Sequence, residues 1–238
     1  MIIWYVIAVV VLFNLWALFQ IAARKWLFHG RIYRPHLLNV ALSWAPNVVL
    51  LVYLLVALAL LMLAHNGWLT LAATVIFLPI WLLFLPNASY LITELNLNHR
   101  STKNEPVPLW YDIISVLSLA LTGVLNAVSS IVVIDMLYIM LRHTNVERLL
   151  PQVAGDPWFW LITAGAVLLS SFGIYLGRYL RLNSWDFKRP WRLFAKVWRF
   201  VVREHHLREA LLYTLFFSVF LFLFYLLFIA PAVALLGM

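Results

Sequence analysis

Cysteine is absent from all 238 residues, which excludes disulfides and thiolate metal sites and leaves the redox compartment unread. Charge is scarce as well. Asp, Glu, Lys and Arg make up 11% of the chain, against about 25% in a soluble domain. Several chemical signatures are also missing. No Gly-rich phosphate loop or Rossmann fingerprint occurs, which argues against nucleotide-driven work by this chain alone. No HxxE, HExxH or DxD spacing puts two metal ligands on one helical face, and no Ser-His-acid arrangement stands out. No cofactor and no metal are implied.

What is present is apolar. Hydrophobic residues reach 65%, beyond the roughly 45–50% that a water-soluble fold can bury, so the chain reads as a polytopic membrane protein. Six runs of spanning length fall near residues 2–22, 37–64, 69–90, 109–134, 158–178 and 210–236. In hydrocarbon every backbone group must be paired internally, so these runs predict an all-α transmembrane bundle in a single integral domain covering 1–238. The first run follows no positive n-region and is followed by Arg24 and Lys25, so it reads as a span rather than a cleavable signal.

The seventeen Lys and Arg residues are sorted by loop. Fifteen lie in the first, third and fifth loops, and only Arg142 and Arg148 lie in the others. Cytoplasmic loops retain such residues, so both chain termini are expected to face outward. The same sorting accounts for the net charge of +8 without a nucleic-acid partner.

Within the runs, Pro79 and Pro86 each remove a helical N–H, which predicts a kink or break before Asn87. The second run has room to begin as an interfacial segment around residues 43–47, and the four-residue loop 65–68 predicts an antiparallel hairpin. The fourth run continues through Met140, so its outer end is expected to project beyond the bilayer. Asp112, Ser115, Thr122, Asn126 and Ser129 share one face of that helix and should turn away from lipid. Interhelical hydrogen bonding is the plain reading of that stripe, and a polar cavity the sharper one. Gly173 and Gly177 form a small-residue face open to close approach by another helix, including one from a second copy.

Residues 190–206 follow a different pattern. Trp191, Phe194, Trp198 and Val201 fall on one helical face, and Arg192, Lys196, Arg199 and Arg203 on another. This predicts an amphipathic helix in the cytoplasmic interface, in contact with anionic head groups.

Three segments reach the cytoplasmic boundary: Leu85-Pro86-Asn87 through Glu94, Trp110-Tyr111-Asp112, and Arg178 through Asn183-Ser184-Trp185-Asp186. They supply Asn87, Tyr90, Glu94, Asp112, Arg178, Arg181, Asn183 and Asp186 as candidate ligand-binding residues. An ion pair of Asp112 with Arg178 or Arg181 is the cheapest way to hold charge there. The plainer alternatives are a solvated Asp112 in a first turn, a capping Asp186 and an Arg178 that snorkels to phosphates.

From roughly Arg34 to Arg208 these signatures resemble a family of bacterial integral membrane proteins, domain of unknown function 1361. That family pattern more often has Asp at the position of Glu94 and a His sooner than His99, so no role for His99 is carried over. The resemblance implies an inner-membrane protein and no specific activity. The leading expectation is binding of an anionic lipid head group or small polar ligand at the cytoplasmic interface. A hydrolase or transferase acting on lipid-linked substrates is the alternative, with a transporter component or scaffold subunit beyond that.

Overall fold

A computed structural model describes residues 2–30, 32–64, 67–96, 106–142, 149–180, 190–203 and 206–236. Among them the chain forms nine α-helices and no strand: α1 (Ile2–Phe28), α2 (Arg34–Ser43), α3 (Ala45–Ala59), α4 (Gly67–Ser89), α5 (Leu109–Arg142), α6 (Leu149–Ala154), α7 (Pro157–Tyr179), α8 (Pro190–Trp198) and α9 (Leu207–Leu236). Six helical stretches among the described residues are long and apolar enough to cross a membrane: Ile7–Phe28, Arg34–Leu63, Gly67–Leu95, Leu109–Arg142, Pro157–Tyr179 and Leu207–Ile229. The protein is a multi-pass helical membrane protein.

The bundle is organised around α5. In its most apolar stretch 78% of residues are buried, against 17% for α4, so the other helices pack around α5 rather than around a shared centre. Its neighbours include α1, α4, α7 and α9, while α3 and α4 pair as the expected antiparallel hairpin. Chain breaks follow proline. Pro35, Pro46 and Pro157 sit in first turns, where the missing N–H has no helical partner to lose. Between α2 and α3 the helix stops for one residue, Trp44, and restarts at Ala45, with Pro46 in its first turn.

The break expected before Asn87 falls elsewhere. Helix α4 continues through Pro79 and Pro86 to Ser89, then tightens into a 3-10 turn over Tyr90–Asn96. Its neighbours are shaped to receive it. A Cβ on Gly173 would collide with the Pro86 ring, and one on Gly123 would come within 2.5 Å of the Ala88 carbonyl. A Cβ on Gly177 would press on the Tyr90 ring at 3.3 Å. The helix that approaches this small-residue face of α7 closely is α4.

At its far end α5 keeps Asp135 and Ile139 buried against α7 and α9. The amphipathic segment forms as α8 followed by one π-turn over Arg199–Arg203, with Trp191, Phe194 and Trp198 exposed. Val201 turns inward to Tyr175, Leu176 and Ala210, which fastens the segment to the ends of α7 and α9.

Candidate functional site

The ends of α1, α4 and α7 and the starts of α2, α5 and α9 lie together, at what is called here the Arg24 end. Asp112, in the first turn of α5, is fully buried and forms an ion pair with Arg24, near the C-terminus of α1. The N-terminal turn of α5 favours the carboxylate through the helix dipole, and the last turns of α1 favour the guanidinium. Next to this pair, the Tyr111 hydroxyl donates to the Gln20 carbonyl, which ties the same two helices again. Among the described residues Asp112 pairs with Arg24 of α1. Arg178 instead lies over the Tyr179 ring, 5.8 Å from its centroid, beside the packed rings of Tyr175, Tyr179 and Tyr213.

Glu94 has a different set of partners. Its Oε2 lies 3.2 Å from Nε2 of His36, and its Oε1 accepts from Nδ2 of Asn39 at 2.6 Å. His36 and Asn39 are three residues apart on α2, so one helical face reads the carboxylate with both side chains. The Tyr33 ring meets the His36 imidazole edge-on at 4.8 Å and limits its rotation.

Between α1 and α2 the chain turns through His29, whose φ of 54° is left-handed. Histidine is one of the residue types that tolerate this region best. The turn lets the Gly30 N–H return to the Arg24 carbonyl at 3.2 Å, and a Cβ at Gly30 would collide with Val107. The turn borders an open groove of about 670 Å³ lined by Lys25, His29, Gly30, Ile32, Arg34 and Leu37. Lys25, His29 and Arg34 are exposed, and Trp26 is 75% exposed beside them. Among the described residues neither Lys25 nor Arg34 takes part in an ion pair, while the buried Arg24 is neutralised by Asp112.

Deeper in the bundle the polar stripe of α5 is consumed by hydrogen bonds. Asn126 and Asn14 exchange reciprocal amide bonds at 2.8 and 3.1 Å. Asn126 also donates to Ser43 Oγ, the Trp44 indole N–H donates to Asn14 Oδ1 at 2.7 Å, and Asn47 donates to the Asn126 carbonyl. Thr122 donates to carbonyls of its own helix and of Phe13. Interhelical hydrogen bonding is thus the role of this face, with α1 and the α2–α3 junction as its partners.

Of the other residues read from the sequence, Asn87 and Tyr90 are half-buried near the end of α4. Arg192 and Arg199 are exposed on the amphipathic segment and Lys196 is half-buried. Arg181, Asn183, Asp186, His99 and the side chain of Arg203 lie outside the described residues.

The family model described as "Protein of unknown function (DUF1361)" matches residues 38–229. The chain belongs to the DUF1361 family. No curated protein and no solved structure matches it. The DUF1361 match contains Glu94, Asp112 and the Asn126 network, but it begins after Arg24, Lys25, His29, Arg34 and His36. Arg24 and His36, which meet Asp112 and Glu94, therefore come from the preceding segment. Sequence reading assigned Arg24 only to charge sorting and passed over His36, Asn39 and Asn14. One signal was available: a lone Asn in the middle of a first span needs a partner within the bundle.

Proposed function

We propose that this DUF1361 protein binds an anionic group, a lipid head-group phosphate or a small anion of the same chemistry, in the groove between α1 and α2 on the cytoplasmic side. One observation carries the reading. Lys25, His29 and Arg34 border an open concavity, and no carboxylate is among its described lining residues. The neighbouring cation, Arg24, is buried and paired, so charge has been neutralised where it is dry and left available where it is wet. Exposed Trp26 and Tyr33 suit the interfacial belt, where aromatic residues sit at head-group depth. Arg192 and Arg199, with Trp191 and Phe194 exposed on the same segment, add a second basic-aromatic surface at this end of the bundle. Asn87, Tyr90 and Arg178 are carried into the proposal as residues lining the neighbouring part of this end. Asp112 and Glu94 serve it by holding α1 and α2 in place.

The test is lipid retention. Protein purified from membranes containing anionic and zwitterionic phospholipids should keep an anionic one in native mass spectrometry, and added anionic lipid should raise its melting temperature. Lys25→Ala combined with Arg34→Ala should remove both effects. Stabilisation by free phosphate alone would assign the groove to a small anion, and retention unchanged in the double variant would end the proposal.

A membrane enzyme acting on lipid-linked substrates is the second reading, favoured by the imidazole of His36 held against Glu94. A carboxylate that orients an imidazole is the arrangement a general base requires. His36→Gln would then abolish turnover of such a substrate while leaving lipid retention in place.

A further inference from the structure

The opposite end of the bundle, which the anion-binding proposal does not involve, holds an acid that no ion pair explains. Asp135 stands 23 residues after Asp112 on α5, about 35 Å along the helix axis. It is 1% exposed, beside Ile131, Phe159 and Leu221 in the apolar core. Its Oδ2 accepts from the Tyr225 hydroxyl of α9 at 2.6 Å and from the Thr163 hydroxyl of α7 at 3.0 Å, a donor that Thr163 shares with the Phe159 carbonyl. Its Oδ1 is buried and has no hydrogen-bond partner among the described residues.

The surrounding charges are engaged elsewhere. On its own helix, Tyr138 and Arg142 follow one and two turns later. Tyr138 donates to Asp156 Oδ2 at 2.8 Å, and Arg142 meets the same oxygen at 3.2 Å. Helix α7 presents the uncharged Thr163 and helix α9 the phenol of Tyr225. Among the described residues no cation faces Asp135. An ionised carboxylate here would keep one oxygen without hydrogen bond or counter-ion in an apolar setting, where such a group is neutralised rather than left charged. A carboxylic acid fits the same geometry: its carbonyl oxygen, Oδ2, takes both hydroxyls, and Oδ1 carries a hydrogen.

We infer that Asp135 is a proton-binding site inside the helix bundle, clasped by Thr163 and Tyr225. The ligand is a proton taken from water, which forms an O–H bond at Oδ1 and cancels one negative charge. When the proton leaves, a bare negative charge appears where α5, α7 and α9 meet. Gain and loss of this proton therefore bear on how tightly those three helices pack. The site lies within the DUF1361 match, which assigns it no role.

Infrared spectroscopy of the intact protein in nanodiscs at neutral pH tests this, using protein labelled with carbon-13 in its aspartate side chains. A label-shifted carbonyl band of a protonated carboxylic acid should be present and should vanish in Asp135→Asn. Tyr225→Phe removes the shorter hydrogen bond, so the band should persist and move to higher frequency. Should the Asn variant fail to fold, the band in labelled wild type and its displacement in Tyr225→Phe still decide. Absence of a protonated-aspartate band from folded wild type overturns the inference. So does a band that Tyr225→Phe leaves unmoved, or stabilisation of the protein by sodium ions with no such band.

Discussion

Arg24, near the end of the first helix, neutralises Asp112, in the first turn of the central helix, across 88 positions of sequence. The pair is buried on both sides, so each charge depends on the other. Removing one partner of a buried pair costs about 3–5 kcal/mol, whereas replacing both with apolar residues of similar volume is often nearly neutral. Arg24→Met and Asp112→Leu should each lower thermal stability in detergent strongly, and the double variant should recover most of the loss. Arg178→Met should leave the melting temperature close to wild type. Additive losses in the double variant would show that the two side chains act separately.

The meeting of α4 and α7 depends on a missing side chain. A methyl at Gly173 would occupy the place of the Pro86 ring, while one at Gly165 on the same helix would meet nothing within 4 Å. Gly173→Ala is expected to destabilise by about 1–3 kcal/mol, the usual range for forcing atoms into a packed core. Gly165→Ala should be neutral or stabilising by up to about 1 kcal/mol through helix preference. Unfolding in mixed micelles compares the two directly, and equal effects would count against the close contact.

Asn126 links three helical segments through Asn14, Ser43 and Asn47. A hydrogen bond between membrane helices contributes about 0.6 kcal/mol on average and up to about 1.7. Asn126→Leu should therefore cost on the order of 2 kcal/mol and free Asn14 to rearrange. Because the Trp44 indole N–H donates to Asn14, the same variant should shift Trp44 fluorescence in a background where other tryptophans are replaced. An unchanged Trp44 spectrum would argue that the network does not form.

Asp156 caps α7 by accepting from the Trp158 N–H, and it also gathers Tyr138 and Arg142. Burial alone would push its carboxyl up, but these donors and the Arg142 charge outweigh burial and hold it below the ordinary value of 3.8. A carboxylate depressed in the folded state adds stability that is present above that value and lost as pH falls through its folded value. Melting temperature should drop below about pH 4, and Asp156→Asn should remove this part of the acid dependence. An identical acid profile in the variant would show that other carboxylates govern the loss.

The amino-acid sequence by itself determined the membrane class, the number of spans and the place of the amphipathic segment. Those properties rest on local composition and period, and hydrocarbon tolerates few alternatives to helices. It also determined that the α5 stripe turns inward, because spacing of three and four residues puts Asp112, Thr122 and Asn126 on one face whatever surrounds them. Tertiary structure alone decided the partners. Arg24 and Arg178 are equally plausible mates for Asp112 by charge, and only the packing of α1 rather than α7 against the start of α5 separates them. The displaced end of α4 has the same origin, since Pro86 is accommodated by an absent Cβ on another helix. Asp135 falls just past the fourth apolar run, and it is a buried acid because α7 and α9 extend alongside α5 to that depth. Pairings of this kind depend on which faces meet, and that information is spread across helices far apart in the chain.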